Sequence, residues 1–168
     1  RIERTISATN TDKFCQAICA FSNDLPNYQK NGYLIIGAKD NGERSGLKVS
    51  DQLLQNLAAI RTDGNIVPPP IFISVGKYEF DDGELAVVEV KPHFQPPVRY
   101  KGKVWIRNGA RKDTANEGEE RILSEKRSSF ARAFETEPCQ QSSLDDIRID
   151  VFKLSYLPLA IDKETLEA

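Results

Sequence analysis

Hydrophobic positions recur at helical spacing in two parts of the chain. In residues 11–23 and again in residues 51–60, apolar side chains return every three or four positions, as in a helix that packs one side on a core. Asn10 or Thr11 can cap the first of these segments, and Ser50 can cap the second. The pattern therefore predicts two core-facing helices.

Short apolar runs between turn residues predict strands. Residues 32–37 form an apolar run between two glycines, which is typical of a strand buried on both faces. Residues 71–80 and 84–91 are rich in β-branched and aromatic side chains, and residues 81–83, Asp-Asp-Gly, supply turn chemistry between them. These two runs are predicted to form a hairpin.

A second hairpin is predicted from residues 98–100 and 103–107, around the two-residue turn 101–102. The order of elements differs from the strict strand–helix alternation of a dinucleotide-binding fold. It predicts an α+β class with two layers: a mixed sheet of about five or six strands with helices packed on it.

A third helix follows the basic hairpin. Thr114 or Asn116 can open it, and its pattern continues to about Ser129. Ile122 is the side chain that the pattern directs inward, among many charged neighbours.

The last part of the sequence differs in composition from the rest. Residues 135–168 begin as a polar linker and continue as a small helical appendage, so we expect the main domain to occupy residues 1–134. The chain starts without methionine and ends in what looks like the first turn of a helix. We therefore expect it to be part of a larger protein.

Composition limits the function classes. The 168 residues, 39% hydrophobic and 29% charged, are enough for one domain with a real core. A net charge of −2 means that affinity for an acidic partner must come from local clustering of lysine and arginine. No apolar run approaches the roughly 18–20 residues of a membrane span. Three cysteines, an odd number, argue against a disulfide framework, so a cytoplasmic, reducing location is expected.

Residues 90–112 contain no acidic residue but many basic ones. Strand alternation places Lys103, Trp105 and Arg107 on one face, opposite the apolar Val104 and Ile106. Cations pair with phosphates, and an exposed tryptophan stacks on an unpaired base for roughly 1–3 kcal/mol, so this face suits nucleic acid. The predicted binding residues are Arg99, Lys101, Lys103, Trp105, Arg107, Arg111 and Lys112. The alternative is that these lysine and arginine side chains pair with acidic helices and that Trp105 packs on a neighbouring element.

Catalytic constellations are sparse. His93 is the single histidine and sits in a loop, and Cys15 and Cys19 share one face of a helix predicted to be core. No metal site is assigned, although the carboxylates of Glu3 and Asp40 are candidate ligands near strand ends.

The order of several motifs resembles the Schlafen/AlbA-like domain family. Each motif is weak alone, but the ordered set is specific and covers about residues 1–130. The motifs are Glu3 with a following basic residue, Cys19-Ala20-Phe21-Ser22-Asn23, Gly32 to Gly42, Gly46-Leu47, Pro68 to Pro70, Val88-Glu89-Val90, Pro97 to Gly102, Trp105 to Gly109, and Ala115 with Glu119 or Glu120.

The resemblance implies a two-layer fold with AlbA-like nucleic-acid-binding ancestry. Bacterial relatives usually sit at the N-terminus of transcriptional regulators or helicase-related proteins and are often labelled ATP-binding. An ATP site would use the loop around Gly37, Asp40 and Gly42, which lacks the phosphate-clamping lysine motif. Vertebrate relatives are metal-dependent endoribonucleases, and Glu3 and Asp40 match two of their three carboxylates, which would hold Mg²⁺ or Mn²⁺.

The leading hypothesis is a DNA- or RNA-binding module of a larger bacterial regulatory protein, acting by binding rather than catalysis. The alternatives are a divalent-metal endoribonuclease, an ATP-binding regulatory domain and an oligomerisation scaffold. Because the sheets of AlbA-like domains often pair between two copies of the domain, a homodimer is a further expectation.

Overall fold

A computed structural model describes residues 1–109, 111–136 and 148–156 of the chain. The chain divides into two compact units, Arg1–Arg132 and Ala133–Ala168. Within the second unit, the described residues form a short helical turn at Ile149–Val151 and a π-helical turn at Phe152–Tyr156. Most of the predicted linker, including Cys139, and the predicted start of the appendage at Leu144 lie outside the described residues.

The main sheet is mixed and has four strands. They are β1 (Ile2–Thr5), β2 (Gly32–Ile36), β4 (Ile73–Phe80) and β5 (Gly83–Val90), in the order β1-β2-β5-β4. β1 runs parallel to β2, whereas the β2–β5 and β5–β4 pairs are antiparallel. The predicted hairpin is confirmed, because Phe80 pairs with Gly83 across a two-residue turn.

Two smaller sheets complete the described strands. β3 (Ile66–Val67) pairs with β6 (Arg99–Tyr100), and β7 (Trp105–Asn108) pairs with β8 (Arg111–Thr114). The fold is thus α+β, as predicted, with its strands shared among three sheets rather than gathered in one.

The helices form where the caps predicted them. α1 (Thr11–Asn23) begins at Asn10, whose Oδ1 accepts the Lys13 amide at 3.1 Å. α2 (Asp51–Ala59) begins at Ser50, whose Oγ accepts the Leu53 amide at 3.2 Å. Side-chain oxygens at these positions satisfy amides that the first turn leaves without helical partners.

α3 (Glu117–Thr136) opens with a reciprocal cap. Asn116 accepts the Glu119 amide at 3.0 Å, and the Glu119 carboxylate accepts the Asn116 amide at 2.9 Å. The inward residue is Leu123, with 0% exposure, whereas Ile122 is 47% exposed, so the prediction for Ile122 was wrong. The buried stripe lies one residue later than the pattern indicated because α3 packs on Val104 and Ile106.

The main core lies between the helices α1 and α2 and one face of the four-stranded sheet. The other face is open, with exposed aromatic side chains at Tyr33 and Tyr78. β2 is therefore buried on one face and not on both, which corrects the sequence-based expectation. Cys15 and Cys19 lie in the core, and burial raises the pKa of their thiols to about 11 and about 12.

Candidate nucleic-acid interface

The basic segment contains a tight turn, but its flanking strands have other partners than predicted. Tyr100 and Lys103 exchange backbone hydrogen bonds of 2.8 and 3.0 Å across Lys101 and Gly102, which both have positive φ, 48° and 76°. This is the geometry of a type I′ turn. The predicted second hairpin is limited to this one bridge, because β6 then pairs with β3 and β7 pairs with β8.

The predicted alternation along β7 is confirmed on its apolar side. Val104 and Ile106 are 2% exposed and pack with Leu123 of α3 in a second core cluster. The opposite side of β7 does not form an open basic face. Trp105 is partly buried and packs against the main core.

Arg107 and Lys112 are turned toward the inside of the molecule. The Arg107 guanidinium donates to Glu3 Oε2, and Lys112 Nζ lies 3.2 Å from Glu3 Oε1. The side chains of Arg107, Lys112 and Glu3 keep 14%, 15% and 20% of their surface exposed. Arg107 also lies over the Phe21 ring, 5.4 Å from its centroid. This cluster ties the β7–β8 hairpin to β1, so these two cations serve the fold.

Acidic residues pair with further cations of the segment. Arg99 forms a two-pronged ion pair with Glu120 of α3, at 2.6 and 3.4 Å. Lys101 Nζ and the Tyr100 hydroxyl both donate to Asp12 Oδ1, at 2.9 and 2.6 Å. These hydrogen bonds, chiefly the one from Tyr100, hold the pKa of Asp12 below its ordinary value. The sequence-based alternative, pairing of the basic segment with acidic helices, thus describes much of this surface.

Three cations of the predicted set are more exposed to solvent than Arg99, whose side chain keeps 41% exposure. Lys101 retains 56% exposure despite its ion pair, and Arg111 retains 84% with its Asp113 partner 3.5 Å away. Lys103 is exposed and forms no ion pair with any of the described residues. We call Lys101, Lys103 and Arg111 the basic rim.

The two candidate metal ligands lie in different places. Glu3 is opposite Leu34 in the parallel β1–β2 pair, whereas Asp40 lies beyond the end of β2 in an exposed turn. Within the described ranges, no group of three or more histidine, cysteine, aspartate or glutamate residues could hold a metal ion. The Glu3 carboxylate is instead occupied by Arg107 and Lys112.

The loop at Gly37, Asp40 and Gly42 forms a small hairpin. Its amides are largely used internally: Gly37 N–H donates to Thr5, Lys39 N–H to Glu43 and Gly42 N–H to Lys39, at 2.7–2.9 Å. A phosphate-binding loop needs several free amides that converge at a helix start. Here the next helix begins only at Asp51, so the geometry lacks that arrangement.

Sequence reasoning did not identify the buried polar residues at the end of α1. Asn23 is 2% exposed and donates to the carbonyls of Val98 and Trp105, at 2.9 and 2.8 Å. Asp24, 4% exposed, lies 2.8 Å from Arg1 Nη1. The available signal was the motif Ser22-Asn23-Asp24 at the end of an apolar helix, where buried polar side chains must have partners.

These observations define an α+β domain with an exposed basic turn beside a mixed sheet. The sequence matches the family model described as "Schlafen, AlbA_2" over residues 1–116, more than two thirds of its length. The chain therefore belongs to the Schlafen AlbA_2 family, as its motifs predicted. Membership of this family associates the domain with nucleic acid.

Other comparisons are more limited. No curated protein gives a significant match to the sequence. Among solved structures, the DIP2311 protein from Corynebacterium diphtheriae is similar, with 16% sequence identity and a TM-score of 0.48. The match covers 68% of this chain and 24% of that one, so the chain spans about a quarter of that protein's length. Among the described residues, no helix has the length and apolar character needed to cross a membrane.

Proposed function

We propose that this domain binds DNA or RNA through phosphate contacts made by the basic rim, Lys101, Lys103 and Arg111. The single observation that carries the proposal is the type I′ turn, which holds Lys101 and Lys103 outward on a rigid base. Tyr100, 4% exposed, anchors that base through its 2.6 Å hydrogen bond to Asp12 of α1. The family association with nucleic acid supports the same conclusion.

The energetics of the ion pairs separate the rim from the cations that serve the fold. Exposed pairs such as Lys101–Asp12 and Arg111–Asp113 contribute little to stability, so a phosphate can replace the carboxylate at little cost. If Arg107 or Lys112 left Glu3 to bind a phosphate, the partly buried Glu3 carboxylate would lose a partner, which is costly. We therefore assign phosphate contacts to the rim and a structural role to the Glu3 cluster.

The basic rim extends from the turn at residues 101–102 to the far end of the β7–β8 hairpin. Arg111 pairs with Asn108 at one end of β7, and Lys103 lies five residues before Asn108, at the other end. At about 3.3 Å per strand residue this separates them by roughly 16 Å. Phosphate contacts carry no sequence information, so we expect low sequence specificity.

We also infer that the module acts within a larger, cytoplasmic, bacterial regulatory protein. The family resemblance in the motifs supports this assignment. Neither nuclease chemistry at Glu3 and Asp40 nor ATP binding at Gly37–Gly42 has a geometric observation in its favour, so we do not propose either of them.

A charge-removal variant tests the assignment. Lys101→Asn, Lys103→Gln and Arg111→Gln are combined, with asparagine at 101 because it tolerates the left-handed backbone of that position. Removing three phosphate contacts should weaken binding to labelled single-stranded DNA, duplex DNA and hairpin RNA alike. It should also reduce the salt slope by about one per cation removed.

Lys48→Gln is the control, because it removes one exposed charge outside the basic segment, just before the start of α2. Fluorescence anisotropy at several salt concentrations provides the measurement. If the triple variant binds as the control does, with the same salt slope, the basic rim is not the interface.

A further inference from the structure

A cleft of about 270 Å³ lies on another part of the same unit. The first wall is the segment 91–96, which follows β5, and the second is the loop of residues 24–31, which follows α1. Its volume is close to the lower limit of ligand pockets, about 300 Å³, so it has room for a single ring system rather than a large ligand. It contains none of the residues of the basic rim.

The first wall presents a fixed aromatic ring. Phe94 is 51% exposed, and the His93 ring stacks against it with centroids 5.1 Å apart and planes 23° from parallel. His93 is itself held, because its amide donates to Ser22 at 2.8 Å and its Nδ1 accepts the Gln95 amide at 2.9 Å. A half-exposed ring that already stacks on a held neighbour provides a stacking platform that needs little ordering when a ligand binds.

The second wall presents side-chain amides. Asn27 and Gln29 line the cleft, and neither side chain has a hydrogen-bond partner among the described residues. Asn31 also lines it and uses its Nδ2 for Glu89, at 2.6 Å. An amide offers a donor and an acceptor side by side, the combination that the hydrogen-bonding edge of a nucleobase requires.

The loop that carries these amides is held in place by Asp24. Asp24 Oδ2 accepts the Gln29 amide at 2.8 Å, and its backbone carbonyl accepts the Asn27 amide at 2.7 Å. Lys126 of α3 donates to the carbonyls of Asp24 and Leu25, at 2.6 and 3.0 Å. The backbone of this loop is thus held before any ligand arrives, which lowers the entropy cost of binding.

A positively charged side chain lies at the edge of the cleft. Lys91 lines it and has no carboxylate partner among the described residues, with its Nζ 4.7 Å from the centroid of the Phe72 ring. Asp24, the acidic residue of the lining, is neutralised by Arg1. A lysine beside a stacking ring and an amide wall matches the three parts of a nucleotide: phosphate, ring face and ring edge.

We propose that this cleft binds one unpaired nucleotide, with the base stacked on Phe94, its edge read by Asn27 and Gln29, and its phosphate near Lys91. The nucleotide comes either from a single strand, in which case the inference rests on the proposed function, or from a free mononucleotide. In the first case, the cleft adds base recognition to the non-specific contacts of the basic rim.

The experiment compares two probes and three variants of the full chain. The probes are a labelled single-stranded octanucleotide of each base, followed by anisotropy, and the free mononucleotides, followed by amide chemical shifts of residues 24–31 and 91–96. The variants are Phe94→Ala, Phe94→Tyr and, as a matched exposed aromatic outside the cleft, Phe80→Ala. Stacking of roughly 1–3 kcal/mol per base corresponds to an affinity loss of roughly 5- to 150-fold in Phe94→Ala.

The outcomes separate this inference from the proposed function. Loss of octanucleotide affinity in Phe94→Ala, with Phe94→Tyr and Phe80→Ala close to wild type, supports the cleft as a strand site. Mononucleotide shifts in the cleft that Phe94→Ala abolishes, without strand binding, support it as a free-nucleotide site and contradict the proposed function. Strand binding that Phe94→Ala leaves unchanged, without mononucleotide shifts, overturns the inference and leaves the proposed function standing. Absence of binding for both probes overturns both.

Discussion

At the scale of single residues, Asn23 connects α1 to Val98, just before β6, and to Trp105 of β7. Its side chain accepts the Val98 amide at 2.6 Å and donates to the carbonyls of Val98 and Trp105. These groups are buried, so truncation would leave them without partners inside the protein. The side-chain amide of Asn23 thereby determines the position at which the basic segment begins relative to α1.

Asn23→Ala is expected to lower the free energy of unfolding by roughly 2–4 kcal/mol, because each buried polar group left unsatisfied costs about 1–3 kcal/mol. Urea unfolding followed by circular dichroism measures the change. Asn56→Ala, on the exposed side of α2, is the control and should change stability by less than about 0.5 kcal/mol. A similar small effect for Asn23→Ala would show that its hydrogen bonds do not hold the strands.

His93 predicts a pH dependence of stability. Burial lowers the pKa of His93 below its ordinary value of 6.5. In the unfolded chain the ring binds a proton as the pH falls through about 6.5, while the folded chain still keeps it neutral. Stability should therefore decrease as the pH falls below about 6.5 and level off once the pH is below the folded-state pKa.

His93→Asn removes this titration and places a side-chain oxygen near the position of Nδ1, which accepts the Gln95 amide. Unfolding free energies between pH 7 and pH 5 should slope less in the variant than in the wild type. Equal slopes in the two proteins would mean that another group causes the decrease.

At the scale of elements, Gly32 shows why β2 starts where it does. A Cβ built on Gly32 would lie 2.2 Å from Cγ of Phe21, the fully buried aromatic residue of α1. The strand and the helix are therefore in direct backbone-to-ring contact at this point.

Gly32→Ala is expected to destabilise the domain by about 1–3 kcal/mol or more, because neither the buried ring nor the strand can move without disturbing the core. Thermal unfolding tests this prediction. Gly118→Ala, in the first turn of α3, is the comparison and should change stability much less, since its Cβ would meet only the exposed Asn116 Oδ1, at 3.3 Å, and alanine favours a helix over glycine. Comparable unfolding temperatures for the two variants would contradict the packing argument.

At the scale of the whole molecule, local patterns predicted the fold better than the site. Helix caps and tight turns depend on near neighbours in the sequence. The structure contains the predicted caps at Asn10 and Ser50 and the turns at 81–82 and 101–102. The partners of β6 and β7 depend on segments far away in sequence, so their pairing was not predictable from the turn between them.

The site was predicted less completely for the same reason. A run of basic residues indicates charge but not the location of its counter-ions. Glu3 lies more than 100 residues from Arg107, and Asp12 lies 89 residues from Lys101, yet both pairs form. The sequence therefore identified the basic segment, whereas the structure separates the cations of the basic rim from those that stabilise the fold.

The most direct test of the account is the salt dependence of binding by the unaltered chain. Anisotropy of a labelled single-stranded oligonucleotide is followed from low to moderate salt, and a gel of the same samples with magnesium or manganese detects cleavage. With about three phosphate contacts, we predict a slope of log affinity against log salt of roughly −2 to −3, and intact probe in the gel. An affinity that does not change with salt, or no binding at low salt, would contradict nucleic-acid binding through the basic rim.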